Sequence, residues 1–171
     1  QNSMLEKVMP FFAEEQRKQQ AETNLIEALN LVMQKAPADL TDKLYGIKFT
    51  FSTTGSLSGH PNIAQYEFGS NTTVITDKYI WAAPEVVATY IVHESVHSRD
   101  NDPFTSIAEE QDAYKAAVKF WIENNSGLKD PELDYAKNLY LSDPTDLDRK
   151  VEQVYSTRDK SMPMSSPGHM R

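Results

Sequence analysis

The sequence predicts an α+β fold: an N-terminal helix, a small mixed sheet with a hairpin, a buried central helix and further helices to the C-terminus. Three observations predict it. Apolar residues recur at helical spacing near the N-terminus, a β-branched and aromatic stretch breaks that pattern after Gly46, and helical segments, most led by a proline, fill the second half. The 171 residues suit one domain, expected over 1–160, with a mobile Met/Pro/Ser/Gly tail over 161–171. With 39% hydrophobic and 25% charged residues, the composition excludes a disordered chain.

The N-terminal helix is expected over 1–36. Leu25, Ile26, Leu29, Val32 and Met33 form its apolar stripe, with polar residues between them. Pro10 is expected to separate a short first turn from the main helix, and Pro37 to follow its end. The sheet region spans 46–80. Ile47 to Phe51 alternates apolar and polar residues as a strand does. Thr53 to Pro61 is Ser/Thr/Gly-rich and reads as a loop. Ile63–Phe68 and Thr72–Thr76 flank the turn residues Gly69, Ser70 and Asn71, which predicts a hairpin.

The region 84–124 should hold two helices. Pro84 and Glu85 suit a helix start. Val86, Val87, Ala88, Tyr90, Ile91, Val92 and Val96 then make the first of these helices apolar nearly all round, so it should be buried. Asp102-Pro103 ends that pattern, and Ser106 to Asn124 resumes it. Two more helices are expected within 131–158.

Charge and composition narrow the chemistry. A formal net charge of -8 and no dense Lys/Arg run argue against nucleic acid as a partner. No apolar run approaches a membrane span. The chain has no cysteine, which excludes disulfides, thiolate metal sites and cysteine nucleophiles. Any metal must therefore be held by His, Asp or Glu. The expected location is secreted or periplasmic, with cytoplasmic as the alternative.

The chemistry concentrates in His93-Glu94-Ser95-Val96-His97. Residues at i and i+4 project from one helix face a turn apart, so His93 and His97 can converge on one ion at about 2.0–2.1 Å. Glu94 points to one side, within reach of a water rather than the metal. The alternative is a pair of packed core histidines. Against it, a polar triplet in an otherwise apolar helix costs several kcal/mol, on the order of 2–7 per unpaired group, unless something satisfies it. A catalytic zinc usually takes a third protein ligand. His60 lies in the Gly/Ser loop and His169 in the tail. The next helix offers Glu109 and Glu110. Glu110 shares its face with Ile107, Ala113, Tyr114, Ala117, Val118 and Trp121, so it should point inward, and it is preferred over Glu109. Both acids could instead serve only the helix dipole.

These residues resemble the gluzincin group of zinc metallopeptidases, in which an H-E-x-x-H helix precedes a second helix that supplies a ligand glutamate. The resemblance covers about residues 63–121. With only twelve residues between His97 and Glu110, it is closest to the small minigluzincins. It differs from metzincins, which need Gly and His where this chain has Asp100 and Pro103. It also departs from the larger gluzincins, which carry an Asp where this chain has Tyr114; support for a ligand histidine would then come from Asp100, Asp102 or Asp112.

The resemblance implies a zincin-like fold and zinc-dependent hydrolysis of peptide bonds. His93, His97 and Glu110 would hold Zn2+, and Glu94 would be the general base acting on a metal-activated water. An extended peptide would pair with an edge strand, for which Ala64, Gln65 and Tyr66 are the candidates. Tyr114, Tyr155 and His60 are the unranked candidates for oxyanion stabilisation. A tail folded across the cleft, with His169 on the metal, would block it. The competing function is a catalytically inactive zincin-like scaffold that binds a peptide or protein partner. A third reading is a purely structural helical protein.

Overall fold

The computed structural model describes residues 3–52, 64–76, 82–100 and 102–166. The chain folds as α1 (Ser3–Lys35), α2 (Ala38–Thr41), β1 (Lys48–Ser52), β2 (Ala64–Glu67), β3 (Thr72–Thr76), α3 (Pro84–Asp100), α4 (Ile107–Asn124), α5 (Pro131–Ser142) and α6 (Pro144–Arg158). This is the expected α+β arrangement of helices around a small sheet.

Two elements differ from expectation. The first helix does not break at Pro10 but runs through it as one 33-residue helix. Proline removes one N–H from the ladder, and one lost bond does not end a helix this long. The one-turn α2 after Pro37 has no periodic signature of its own and is anchored by buried Leu40 and Thr41.

The sheet is mixed, in the order β1-β3-β2. Lys48 to Ser52 runs parallel to Thr72 to Thr76, and Ala64 to Glu67 pairs antiparallel with Thr72 to Ile75. Asn71 closes the hairpin at φ 51, a left-handed conformation that Asn tolerates well. Its side chain accepts a hydrogen bond from the Tyr66 hydroxyl (2.7 Å) and donates to the Gly46 carbonyl (3.1 Å). One turn residue thus ties the hairpin to the entry of β1. Among the described residues β2 is an edge strand.

The core is organised on α3. Val87, Ala88, Ile91, Val92 and Val96 are buried with Ala28 and Val32 of α1, Ile75 of β3, and Ala113 and Phe120 of α4. Burying an aliphatic side chain of this size contributes about 1.5–3 kcal/mol, so this cluster dominates stability. A second cluster joins Val118 of α4 to Ala136 of α5 and to Leu147 and Val151 of α6. Trp121 is fully buried and donates its indole N–H to Asp134 at 3.0 Å. The helix α3 is therefore enclosed by α1, the sheet and α4. Its polar triplet faces β2 and the first turn of α4, beside a cavity that α5 and α6 help to bound. No described helix is long and apolar enough to cross a membrane.

Candidate metal centre

The motif helix is buried because its apolar residues leave no polar stripe, and His93, Glu94 and His97 are its exceptions. All three have their side chains mostly out of solvent. The imidazole rings of His93 and His97 are 5.3 Å apart between centroids, as the one-turn spacing requires.

The second half of the site comes from the first turn of α4. Ser106 caps this helix, its hydroxyl accepting from the Glu109 N–H at 3.1 Å. The cap sets the turn so that Glu109 and Glu110 both face α3. Glu110 spans the two histidines: Oε1 lies 3.1 Å from His97 Nε2 and Oε2 lies 3.3 Å from His93 Nε2. Glu109 takes the other side of His97, with Oε2 3.3 Å from Nδ1. The ring of His97 is thus held between two carboxylates, one at each nitrogen.

Glu94 stands beside this group. Its Oε1 is 3.9 Å from His93 Nε2, and its Oε2 accepts the backbone N–H of Tyr66 in β2 at 2.9 Å. Ligand atoms of His93, Glu94 and His97 lie within 4.8 Å of one another. Glu110 approaches both imidazoles more closely than Glu94 approaches His93, so both carboxylates stand within reach of an ion held by the histidines.

Electrostatics follow from crowding three carboxylates and two imidazoles out of water. Burial raises the pKa of Glu94, and the two histidines counter only part of that rise. Burial also opposes the charging of His97, but the carboxylates of Glu110 and Glu109 outweigh it and lift its pKa well above 6.5. For Glu110 burial is again unfavourable to charge. The attraction of His97, with contacts from both histidines, outweighs it and holds the carboxyl well below the usual range. Burial raises Glu109, and Asp100 adds to the rise while His97 opposes it.

A divalent cation fits this set. Two imidazole nitrogens and one carboxylate are the donors that a catalytic zinc takes. Oε2 of Glu110 is buried and faces His93 Nε2 at 3.3 Å, and His93, His97 and Tyr155 all act on this carboxylate. The contact of His97 Nδ1 with Glu109 is the kind of carboxylate support that orients a ligand histidine.

Comparison with protein-family models, curated proteins and solved structures finds no match. The site must therefore be read from its own geometry. A cavity of about 1100 Å³ opens on it, bounded by β2, α3, α4, α5 and α6. Ala64, Gln65 and Tyr66 line this cavity together with His93, Glu94, His97 and Glu110. The far wall is mixed, with Leu133 and Leu139 of α5 and Leu147, Val151 and Val154 of α6 beside Glu132, Lys150 and Arg158.

The structure ranks the supporting residues differently from the sequence. Asp112 pairs with Lys115 at 3.7 Å, and Asp102 accepts the N–H of Phe104 at 2.9 Å. Asp100 lies against Glu109 and 3.8 Å from Arg99 Nε. Glu109, which the sequence offered as a rival third ligand or a helix-dipole acid, is the carboxylate at Nδ1 of His97. It is even more buried than Glu110, 1% exposed against 8%. A facing argument on one helix does not carry this contact, which depends on how α3 and α4 are set against each other. Tyr114 packs edge-on against His93, with ring centroids 4.7 Å apart, and Tyr155 stands 6.2 Å from Tyr114 on the cavity wall. His60 and His169 lie outside the described residues.

Proposed function

We propose that this chain is a zinc-dependent peptidase of the gluzincin kind, with a zincin-like arrangement of edge strand, motif helix and ligand helix. His93, His97 and Glu110 hold the metal, and Glu94 is the general base. One observation carries the reading: the Nε2 atoms of both motif histidines face the two oxygens of a single buried carboxylate from the next helix. A bound zinc would supply Lewis acidity, acidifying water and polarising a carbonyl.

The chain's own residues account for the rest. Glu94 Oε1 is the oxygen not engaged by the strand, so it is free to take a proton from water and to deliver it to the leaving amine. Burial raises its pKa toward the range where such exchange is efficient. Tyr155 keeps its proton, because burial first, and then the charge of Glu110, push its hydroxyl far up. A neutral hydroxyl beside the site can donate to a developing oxyanion. An extended peptide would lie along Ala64–Tyr66, where strand addition supplies backbone hydrogen bonds, and its side chains would meet the mixed wall of α5 and α6.

The test joins metal analysis to one substitution. The purified protein should bind one equivalent of zinc. Glu94→Gln should keep that stoichiometry yet lower peptide turnover about 10²–10⁴-fold. Failure to bind zinc would remove the reading. Zinc binding without turnover of any peptide would favour the inactive scaffold.

A further inference from the structure

The short segment after α6 returns to the site without entering it. Asp159 turns the chain: its Oδ1 accepts from the Ser161 N–H at 2.9 Å and from the Ser161 hydroxyl at 2.6 Å. The Met162 N–H then bonds the Asp159 carbonyl at 3.1 Å. The next two carbonyls reach α4. Pro163 O accepts from the Ile107 N–H and Met164 O from the Ala108 N–H, both at 2.9 Å. The Ser166 hydroxyl meets the Ser106 hydroxyl at 3.3 Å. Residues 161–166, expected from composition to be a loose tail, therefore have specific partners. The tail beyond Ser166 lies outside the described residues.

An α-helix begins with four N–H groups that have no partner within it. In α4 the tail takes those of Ile107 and Ala108 and the Ser106 hydroxyl takes that of Glu109, while the Glu110 N–H makes the first regular helical bond, to the Ser106 carbonyl. The first turn is thus satisfied entirely by protein. Two of its four bonds come from a segment more than fifty residues away in sequence. The described part of the loop that leads into α4 has no regular structure, and its Ser106 cap shares the helix entry with the tail. The two residues that follow the clamped amides are Glu109 and Glu110, which face the histidines. None of residues 159–166 lines the cavity, so this part of the tail does not cover the site.

We propose that residues 159–166 are a positioning strap: by fixing the first turn of α4 they hold Glu109 and Glu110 at the distances at which the histidines and a metal engage them. The inference rests on the metal reading above. It makes the C-terminal segment part of the site's support rather than a cover. Cleavage in the tail would then weaken the centre instead of releasing an inhibitor.

The test uses the full-length chain with Asp159→Ala and Pro163→Gly together, which opens the turn and loosens the strap. Two quantities are read: hydrogen exchange of the Ile107 and Ala108 amides in the metal-free protein, and zinc affinity by calorimetry. The expected result is faster exchange at those two amides, unchanged exchange in the centres of α3 and α5, and zinc bound about tenfold more weakly, as for loss of a supporting contact. Should the double variant fail to fold, Ser166→Ala gives a smaller shift of the same sign. Released amides with unchanged zinc affinity would overturn the strap. So would unprotected Ile107 and Ala108 amides in the unaltered protein. If the unaltered protein binds no zinc, the metal reading itself fails, whatever the amides do.

Discussion

The first turns of α4 and α5 obey the same local rules and end with different tasks. Each has a polar cap, Ser106 in one and Asp130 in the other, whose side chain accepts an N–H of that turn. Each carries two acidic residues, Glu109 and Glu110 against Glu132 and Asp134. In α5 Glu132 is exposed on the cavity rim and Asp134 is half-buried, accepting the Trp121 indole N–H. In α4 both acids are buried against histidines. Acid near a helix N-terminus is worth about 0.3–1 kcal/mol when solvated, whereas a buried carboxylate costs several times more unless paired. The same letters thus end exposed or half-buried in one place and buried against histidines in the other, and only tertiary packing separates them.

The sharpest way to break the comparison is to neutralise one acid in each turn. Glu110→Gln removes the charge that both histidines face. It should reduce zinc affinity by more than the roughly 10–100-fold that a supporting residue costs, and peptide turnover with it. Glu132→Gln in α5 should leave zinc affinity unaltered and change stability by no more than about 0.5 kcal/mol. Calorimetric zinc titration and urea denaturation read both variants. Equal zinc affinity in the two would show that burial at α4 is packing alone.

Glu109 sharpens the contrast within α4 itself. If it only orients His97 through Nδ1, Glu109→Gln should weaken zinc by about 10–100-fold while the stoichiometry stays at one. A loss as large as that of Glu110→Gln would make Glu109 a ligand. An unchanged affinity would reduce it to a helix-start acid like those of α5.

How much of this was legible depended on whether a signal was local. The helix of buried aliphatics around His93-Glu94-Ser95-Val96-His97 announced itself, since period and motif lie in one stretch. The hairpin was equally local, with Asn71 at its turn. The parallel pairing of β1 with β3 had no sequence mark, because register between distant strands is decided by packing on α3. The passage of α1 through Pro10 went unread for a related reason: proline's cost is local, while the length of the helix on both sides is not. At the site, spacing on one helix selected Glu110. It could not reveal Glu109 at His97 Nδ1, because that contact depends on how α3 and α4 are set against each other, which spacing on one helix does not carry. The composition of residues 161–166 suggested a free end, whereas Pro163 and Met164 accept amides of α4.

The smallest expected effect lies on the α5 side and tests that its acids are structural. Asp134 accepts the Trp121 indole N–H at 3.0 Å and the Asp130 backbone N–H at 3.0 Å. The Trp121 bond, despite a small opposing effect of burial, and then the Asp130 N–H and Lys137 hold its carboxyl below the ordinary 3.8. A carboxyl with a depressed folded-state pKa binds fewer protons in the folded chain than in the unfolded one near that pH. Its stabilisation is therefore complete above about 4, the unfolded value, and is lost as pH falls through the lower folded value. Stability measured by urea denaturation between neutral pH and the acid limb should carry this component, and Asp134→Asn should remove it. Trp121, fully buried where α4 meets α5, should report the change in its fluorescence. Because Asp134 is partly solvated, the component is small. An acid limb identical in the two proteins would mean that the indole bond contributes nothing to holding α5 on α4.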